Sequence, residues 1–502
     1  MLATAVLFGA GLGAIDLWAP DEPRYAAIAE ELREMRHGVS GLFLLHLNDE
    51  VYTQKPPLYF WLAAIAGIPS GHVSEIAARL PSAIAGLLGV ALTLAIGRRL
   101  IPGRVVPLLA AGMLATSFRF AFTARRAQLD VLLTSLELIA IACFLFLDAR
   151  RQELPSKRDT LALAGFHAAL GLAALTKGPA GWLPLGVVLA FLAWEGRTKE
   201  IRQLVPGWSL LLSIAPLIAW AGVTTLLAPD GYFQTAVVEN VFGRVLTGTS
   251  HARPIYYYLY QLPLNFLPWG LALPFALLWL SGHRRAAPAS QPVSPEAIRF
   301  LICWIAFPLI LFSLSAGKRA GYLLPIFPPL AIATAAALMT YLGGGRSRRT
   351  AKRLGLAIGL IALLELGIVL GVGPWLNASK SPRPIAIALA EFDRSGSNIG
   401  LYDLPPLEGA LVYYGAGAVE RLDDSDALEN FRDRGGYAVL MRARHAEAMR
   451  EALGLHTIDS FREGERALEL VGFARNADES PPLAKSPWGI SNPAVNPGQA
   501  AQ

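Results

Sequence analysis

Between Met1 and Leu376 the chain runs through apolar segments of membrane-crossing length: Met1–Leu17, Ile76–Ile96, Val105–Phe122, Leu129–Leu147, Leu161–Leu175, Ala180–Trp194, Val205–Leu227, Phe266–Leu280, Phe300–Leu314, Tyr322–Leu342 and Leu354–Leu376. A bilayer interior offers no hydrogen-bond partner, so segments of this kind cross it as helices, which satisfy their own backbone. With Leu58–Ile68 as a short extra or re-entrant helix, about 11–13 transmembrane helices are expected. The predicted fold class is therefore a polytopic α-helical membrane protein. Composition agrees: 54% of residues are hydrophobic and 16% charged, and the mean hydropathy of +0.43 is too high for a soluble protein of this length. The first basic residue is Arg24, so the opening segment lacks the basic head of a secretory signal and reads as an uncleaved span.

The net charge of +6 does not indicate nucleic acid, because the basic residues fall in short clusters between apolar runs. Arg98, Arg99 and Arg104, then Arg150, Arg151, Lys157 and Arg158, then Arg197, Lys199 and Arg202 occupy every second connection, as do Arg284 and Arg285 and the group from Arg346 to Arg353. The positive-inside rule assigns these to the cytoplasm and the alternate loops to the outside. Cys143 and Cys303 lie within apolar runs and read as small core residues, neither disulfide nor metal ligands.

After Trp375 the texture becomes that of a soluble α/β domain: helices at Pro384–Arg394, Asp426–Arg434 and His445–Leu453 and strands at Asn398–Leu404, Tyr437–Arg442 and Arg466–Phe473. Three regions result: a transmembrane domain over 1–376, with outward loops at 19–75 and 229–265; a small α/β domain over 377–475; and a Pro-, Ser- and Ala-rich tail over 476–502, read as disordered.

The outward loops carry the candidate chemistry. Asp21, Glu22 and Arg24 open a helix whose apolar residues Tyr25, Ile28, Leu32 and Met35 recur at helical spacing, so it is predicted to lie flat on the membrane. Asp21 suits either a helix cap or a base, and the two roles are compatible. Lys55 is presented by the stiff Pro56-Pro57 pair, which suits a phosphate, although an interfacial lysine would look the same. The loop Val238–Trp269 holds Glu239, Asn240, Arg244, His251 and the run Tyr256-Tyr257-Tyr258. Arg244 can grip a phosphate with two hydrogen bonds, while His251 reads as a base or as a satisfied loop histidine. Lys318 and Tyr322 share one outward turn and Lys177 tips another, both placed to meet an anionic headgroup. Asp130, beside Arg125 and Arg126, reads as half of a structural ion pair.

In order along the chain, Pro20-Asp21-Glu22 with Arg24-Tyr25, His46-Leu47-Asn48, Lys55-Pro56-Pro57-Leu58, Asp130, Thr176-Lys177-Gly178, His251 with Pro254 and the tyrosines, Pro268-Trp269, and Ser313-Leu314-Ser315 with Gly317-Lys318 and Tyr322 form a pattern. It resembles the bacterial 4-amino-4-deoxy-L-arabinose transferases, within the protein O-mannosyltransferase-like GT-C glycosyltransferases. That resemblance implies a GT-C-like fold in the bacterial inner membrane, a sugar donor linked to a polyprenyl (undecaprenyl) phosphate, and an active site and small C-terminal domain at the periplasmic face. It implies Asp21 as the essential acid, and Lys55, Arg244 and Tyr322, helped by Lys318 and Arg24, as donor-phosphate ligands. Glu22, His46, Asp130, Lys177 and His251 are possible additions. No cofactor is required on this reading: Gln54 and Asn240 stand where the family can carry Glu and His, and neutral amides are poor zinc ligands. Lipid A or another envelope glycolipid is the expected acceptor. A protein O-glycosyltransferase of the same fold and a lipid flippase are the rival readings.

Overall fold

The computed structural model describes residues 1–154, 156–232, 234–235, 252–282, 293–343, 347–393, 399–415, 417 and 419–473. Arg244 and His251, with Glu239 and Asn240, lie outside the described residues, as does the tail over 476–502.

Among the described residues, seven helical runs are long and apolar enough to cross a membrane: Glu75–Leu100, Leu129–Ala149, Lys157–Trp194, Gly207–Leu227, Pro295–Leu314, Ala320–Gly343 and Ser347–Glu391. Two bent pairs, Val105–Ala115 with Phe118–Ala124 and Tyr257–Asn265 with Trp269–Leu280, raise the number to nine if each pair is one span. Two local features keep the number among the described residues below eleven. The opening helix is only Leu2–Gly9, about 12 Å at 1.5 Å per residue and too short to span. Predicted segments 161–175 and 180–194 fall within one run, interrupted by the 3-10 segment Gly178–Trp182. Gly178, at φ +66°, redirects the chain there, so that a Cβ on Gly181 would lie 2.2 Å from the Ala174 nitrogen. Only glycine allows so close a return.

Small residues set the other helix contacts. Gly86 meets Ala124 and Phe8, and Gly89 meets Ser135 and Phe120, which brings Glu75–Leu100 close to its neighbours. The extra segment predicted at 58–68 is a helix, Leu58–Gly67.

The described chain divides into two compact units. The first comprises Met1–Gly396, Leu404–Val419 and Glu463–Glu465, so the structural division does not fall at residue 377. Helices Arg383–Asp393 and Pro405–Tyr414 belong to this first unit. The second helix has no counterpart among the elements expected from sequence; its Pro405-Pro406 pair occupies the first helical turn, where proline is well suited. The second unit is an α/β layer whose five-stranded sheet has the order Glu420–Leu422, Ile399–Tyr402, Ala438–Arg442, Arg466–Phe473, Leu455–Glu463. Ile399–Tyr402 is parallel to both of its neighbours, and Ala438–Arg442 is antiparallel to Arg466–Phe473. Leu428 and Phe431 of helix Ser425–Asp433 pack on Val439, Met441 and Val471 as its core.

Candidate active site

The helix Asp21–Arg33 is the platform. It starts directly at Asp21, with Pro20 as N-cap, and the Asp21 side chain caps nothing. Its carboxylate instead faces the Arg24 guanidinium at 3.8 Å, which corrects the capping role. The apolar stripe is also reassigned. Tyr25, Ile28 and Leu32 are buried, with the Tyr25 ring edge-on to Phe60 at 5.3 Å, so these three pack against protein rather than lying on lipid, while Met35 falls beyond the helix end and is exposed. An amphipathic pattern specifies an apolar neighbour without saying which. Gly409 lets helix Pro405–Tyr414 approach the same platform, since a Cβ there would lie 2.5 Å from the Arg24 Cα. We expect Gly409→Ala to cost about 1–3 kcal/mol of stability through overpacking, visible as a lowered thermal midpoint.

Glu22 serves the platform rather than the chemistry. It is 2% exposed and accepts hydrogen bonds from Arg79 at 2.8 and 3.1 Å, from the Ala127 and Trp18 amides at 2.9 and 3.2 Å, and from Arg126. Burial opposes its charge, but Arg126 and Arg79 outweigh that and hold the carboxyl down at about 2. Arg79 also donates to the carbonyls of Leu12, Ile15 and Asp16, fastening the end of the opening segment.

Opposite the platform, Asp130 opens the helix Leu129–Ala149 and pairs with Lys177 at the end of its own helix. The expected partners differ: Arg126 goes to Glu22, and Arg125 donates to the carbonyls of Leu7 and Ala10. Lys177 Nζ sits 4.7 Å over the Tyr322 ring. Gly321, next to Tyr322, leaves room for the Asp130 carboxylate, whose Oδ1 would lie 3.2 Å from a Cβ there.

These groups act on one another's charge. Lys55 and Arg119 act on Asp130, Arg319 acts on Lys177, and Asp21, Arg24 and Asp130 all act on Tyr25. Burial, and the Asp21 carboxylate beside it, push the Tyr25 phenol well above its ordinary range, so it stays protonated. The structure thus gathers Asp21, Arg24, Lys55, Asp130, Lys177 and Tyr322, and adds Tyr25, Arg119 and Arg319. Among the described residues the group holds five cations and the carboxylates Asp21 and Asp130, with the buried Glu137 as a third carboxylate interacting with Lys177 and Asp130.

Three sequence candidates stand elsewhere. Lys318 is buried and spends its ammonium on the carbonyls of Arg253 and Ser315, at 3.0 and 2.5 Å, closing a turn. His46 stacks face to face on His37 with ring centroids 3.7 Å apart. Glu22 is the hub described above. Arg119, which donates to Asn265 Oδ1 at 2.8 Å, was not singled out in the sequence. Its signal was a lone cation inside the apolar run Val105–Phe122, the kind of residue that membranes tolerate only for a purpose.

The helical membrane unit, the small α/β unit and the polar cluster over the ends of several helices define a multi-pass membrane protein of GT-C fold. ArnT of Cupriavidus metallidurans bound to undecaprenyl phosphate superposes with a TM-score of 0.73 at 19% identity, covering 93% of this chain and 96% of that one. The archaeal oligosaccharyltransferase AglB of Archaeoglobus fulgidus, with an inhibitory peptide and a dolichol-phosphate, gives 0.58 at 13% identity, over 90% and 69%. Residues 10–275 match the family described as dolichyl-phosphate-mannose-protein mannosyltransferase, and the chain belongs to that family. It is 31% identical over 363 residues to the undecaprenyl phosphate-alpha-4-amino-4-deoxy-L-arabinose arabinosyl transferase of Erwinia tasmaniensis, a match over 72% of this chain and 62% of that protein. A like-named Pseudomonas fluorescens protein is 31% identical over 360 residues, 70% of this chain and 58% of the other. The chain spans about three fifths of the length of these relatives. The family expected from the motifs is the family found.

Proposed function

We propose that the chain is a membrane glycosyltransferase that moves a sugar from a polyprenyl-phosphate donor to an acceptor at the periplasmic face of a bacterial inner membrane. The observation that carries this reading is the excess of cations in the cluster among the described residues: Arg24, Lys55, Arg119, Lys177 and Arg319 against Asp21, Asp130 and Glu137. An anionic phosphate fits that imbalance, and a leaving phosphate gains most from it, because fixed cations stabilise charge as it develops. The acceptor oxygen forms a bond to the anomeric carbon, the carbon–oxygen bond to phosphate breaks with its electron pair going to the phosphate, and Asp21 takes the acceptor's proton. Lys55 and Tyr322, with Arg244 from the outward loop, are proposed as phosphate ligands. Undecaprenyl phosphate is the carrier we favour, on the names of the relatives. An envelope glycolipid such as lipid A is the favoured acceptor. No step is routed through a metal at Gln54, an exposed neutral amide.

The test is transfer of labelled sugar from synthetic polyprenyl-phosphate sugar by the purified protein in nanodiscs. Lys55→Ala is expected to slow turnover about 10²–10³-fold with little change in thermal midpoint; undiminished turnover removes Lys55 from the phosphate site. The description of the matched family favours a second reading, in which the acceptor is a protein hydroxyl. Label recovered from the protein fraction rather than the lipid extract would select it.

A further inference from the structure

At the far end of the platform helix from Asp21, among the described residues, one group of side chains has the donors and the spacing of a metal site: Glu31, His37 and Asp49, whose ligand atoms all lie within 4.8 Å of one another. Glu31 Oε2 is 3.2 Å from His37 Nε2, and Asp49 Oδ1 is 3.7 Å from the same nitrogen. Ligands each about 2.0–2.1 Å from a tetrahedral zinc ion stand about 3.3–3.4 Å apart, so both distances from His37 Nε2 lie within a few tenths of an ångström of that spacing. We propose that Glu31, His37 and Asp49 bind one divalent metal ion of the zinc type, with water completing the tetrahedron.

Two arguments favour an ion over a simple hydrogen-bonded cluster. His37 Nε2 carries at most one hydrogen and so can donate to one carboxylate, yet it faces two; a cation among the three atoms satisfies all of them. Charge points the same way. Glu31 is 4% exposed, and a buried carboxylate needs a positive partner. Arg36, whose charge acts on both Glu31 and Asp49, gives its Nε to Glu34 at 2.6 Å.

The surroundings fit a ligand shell. Glu31 Oε1 accepts the Asn48 amide at 3.0 Å, which orients Oε2 toward His37, and the His46 ring stacked on His37 fixes the imidazole plane. Asn48 and Asp49, at φ 61° and 62°, form the tip of the hairpin that pairs His46–Leu47 with Glu50–Val51. The ion would tie the end of the platform helix to the strand that leads into Lys55. None of the three ligands is Gln54 or Asn240, and the proposal stands whether or not the proposed transfer reaction is correct.

The experiment uses the full chain, purified through a histidine-free tag, reconstituted in nanodiscs and equilibrated with zinc chloride. Metal retained after gel filtration is counted by mass spectrometry. We expect about one zinc per chain, a nitrogen and oxygen shell without sulfur by X-ray absorption, and a rise in thermal midpoint on adding zinc to stripped protein. His37→Ala and Asp49→Ala should each weaken zinc binding more than about 100-fold, since even outer-shell partners are worth about 10–100-fold. Asp49 is 66% exposed and holds φ 62°, a conformation glycine adopts without strain, so Asp49→Gly decides the matter if either alanine variant fails to fold. His72→Ala serves as the neutral control. Zinc that is absent from the unmodified chain, or retained equally by Asp49→Ala, overturns the proposal.

Discussion

Asp21→Asn is expected to slow sugar transfer about 10²–10⁴-fold, the usual worth of a positioned general base, while the protein keeps its thermal midpoint. Asparagine preserves shape and hydrogen bonding but accepts no proton. The structural loss is small, because the Asp21 carboxylate caps nothing and its pairing with Arg24 is long, at 3.8 Å; such pairs contribute about 0–1 kcal/mol. Turnover and thermal melting measured on the same nanodisc preparation separate the two effects. A rate within twofold of the unmodified chain would remove Asp21 from proton transfer and leave the cations to carry the reaction.

Glu22→Gln, one residue along, is expected to do the opposite kind of damage. It removes one partner from a buried network and leaves Arg79 and Arg126 facing a neutral amide, a change that costs about 3–5 kcal/mol. The protein should be recovered in low yield and melt at lower temperature, with activity falling only as folded protein falls. The linkage has a defined sign. The Glu22 carboxyl is depressed from its ordinary 4.5 to about 2, so the stability it contributes is fully present above pH 4.5 and is lost as pH falls from there toward 2. Acid denaturation curves of the unmodified chain and of Glu22→Gln should therefore converge across that window. Parallel curves would mean that the network does not hold the carboxylate ionised.

The contrast between these neighbours shows what can be read from a linear chain. Asp21 and Glu22 are both acids at the start of a helix after a proline, and nothing in their immediate sequence says which serves structure and which faces the cluster. Helical periodicity sends them in different directions about 100° apart, but what separates them is that Arg79 and Arg126 reach Glu22 from distant parts of the chain, whereas Asp21 pairs with Arg24 of its own helix. Asp130 makes the same point. Its neighbours Arg125 and Arg126 looked like natural partners, yet Lys177 takes the pair from the end of a different helix. Lys318 looked available in sequence and is instead enclosed by the turn it closes.

What the sequence determined alone was the solvent for each stretch of backbone. Long apolar runs must become helices in a bilayer, because no other arrangement of a single segment satisfies its backbone there, and short motifs in a set order between those runs identified the family. Tertiary structure decided which charges meet. A buried charge is defined by the groups within a few ångströms of it, and in this fold those groups come from helices tens to hundreds of residues apart. Hence Arg119 and Tyr25 join the cluster, Glu22 leaves it for the scaffold, and the helix expected on the membrane surface lies packed inside the protein.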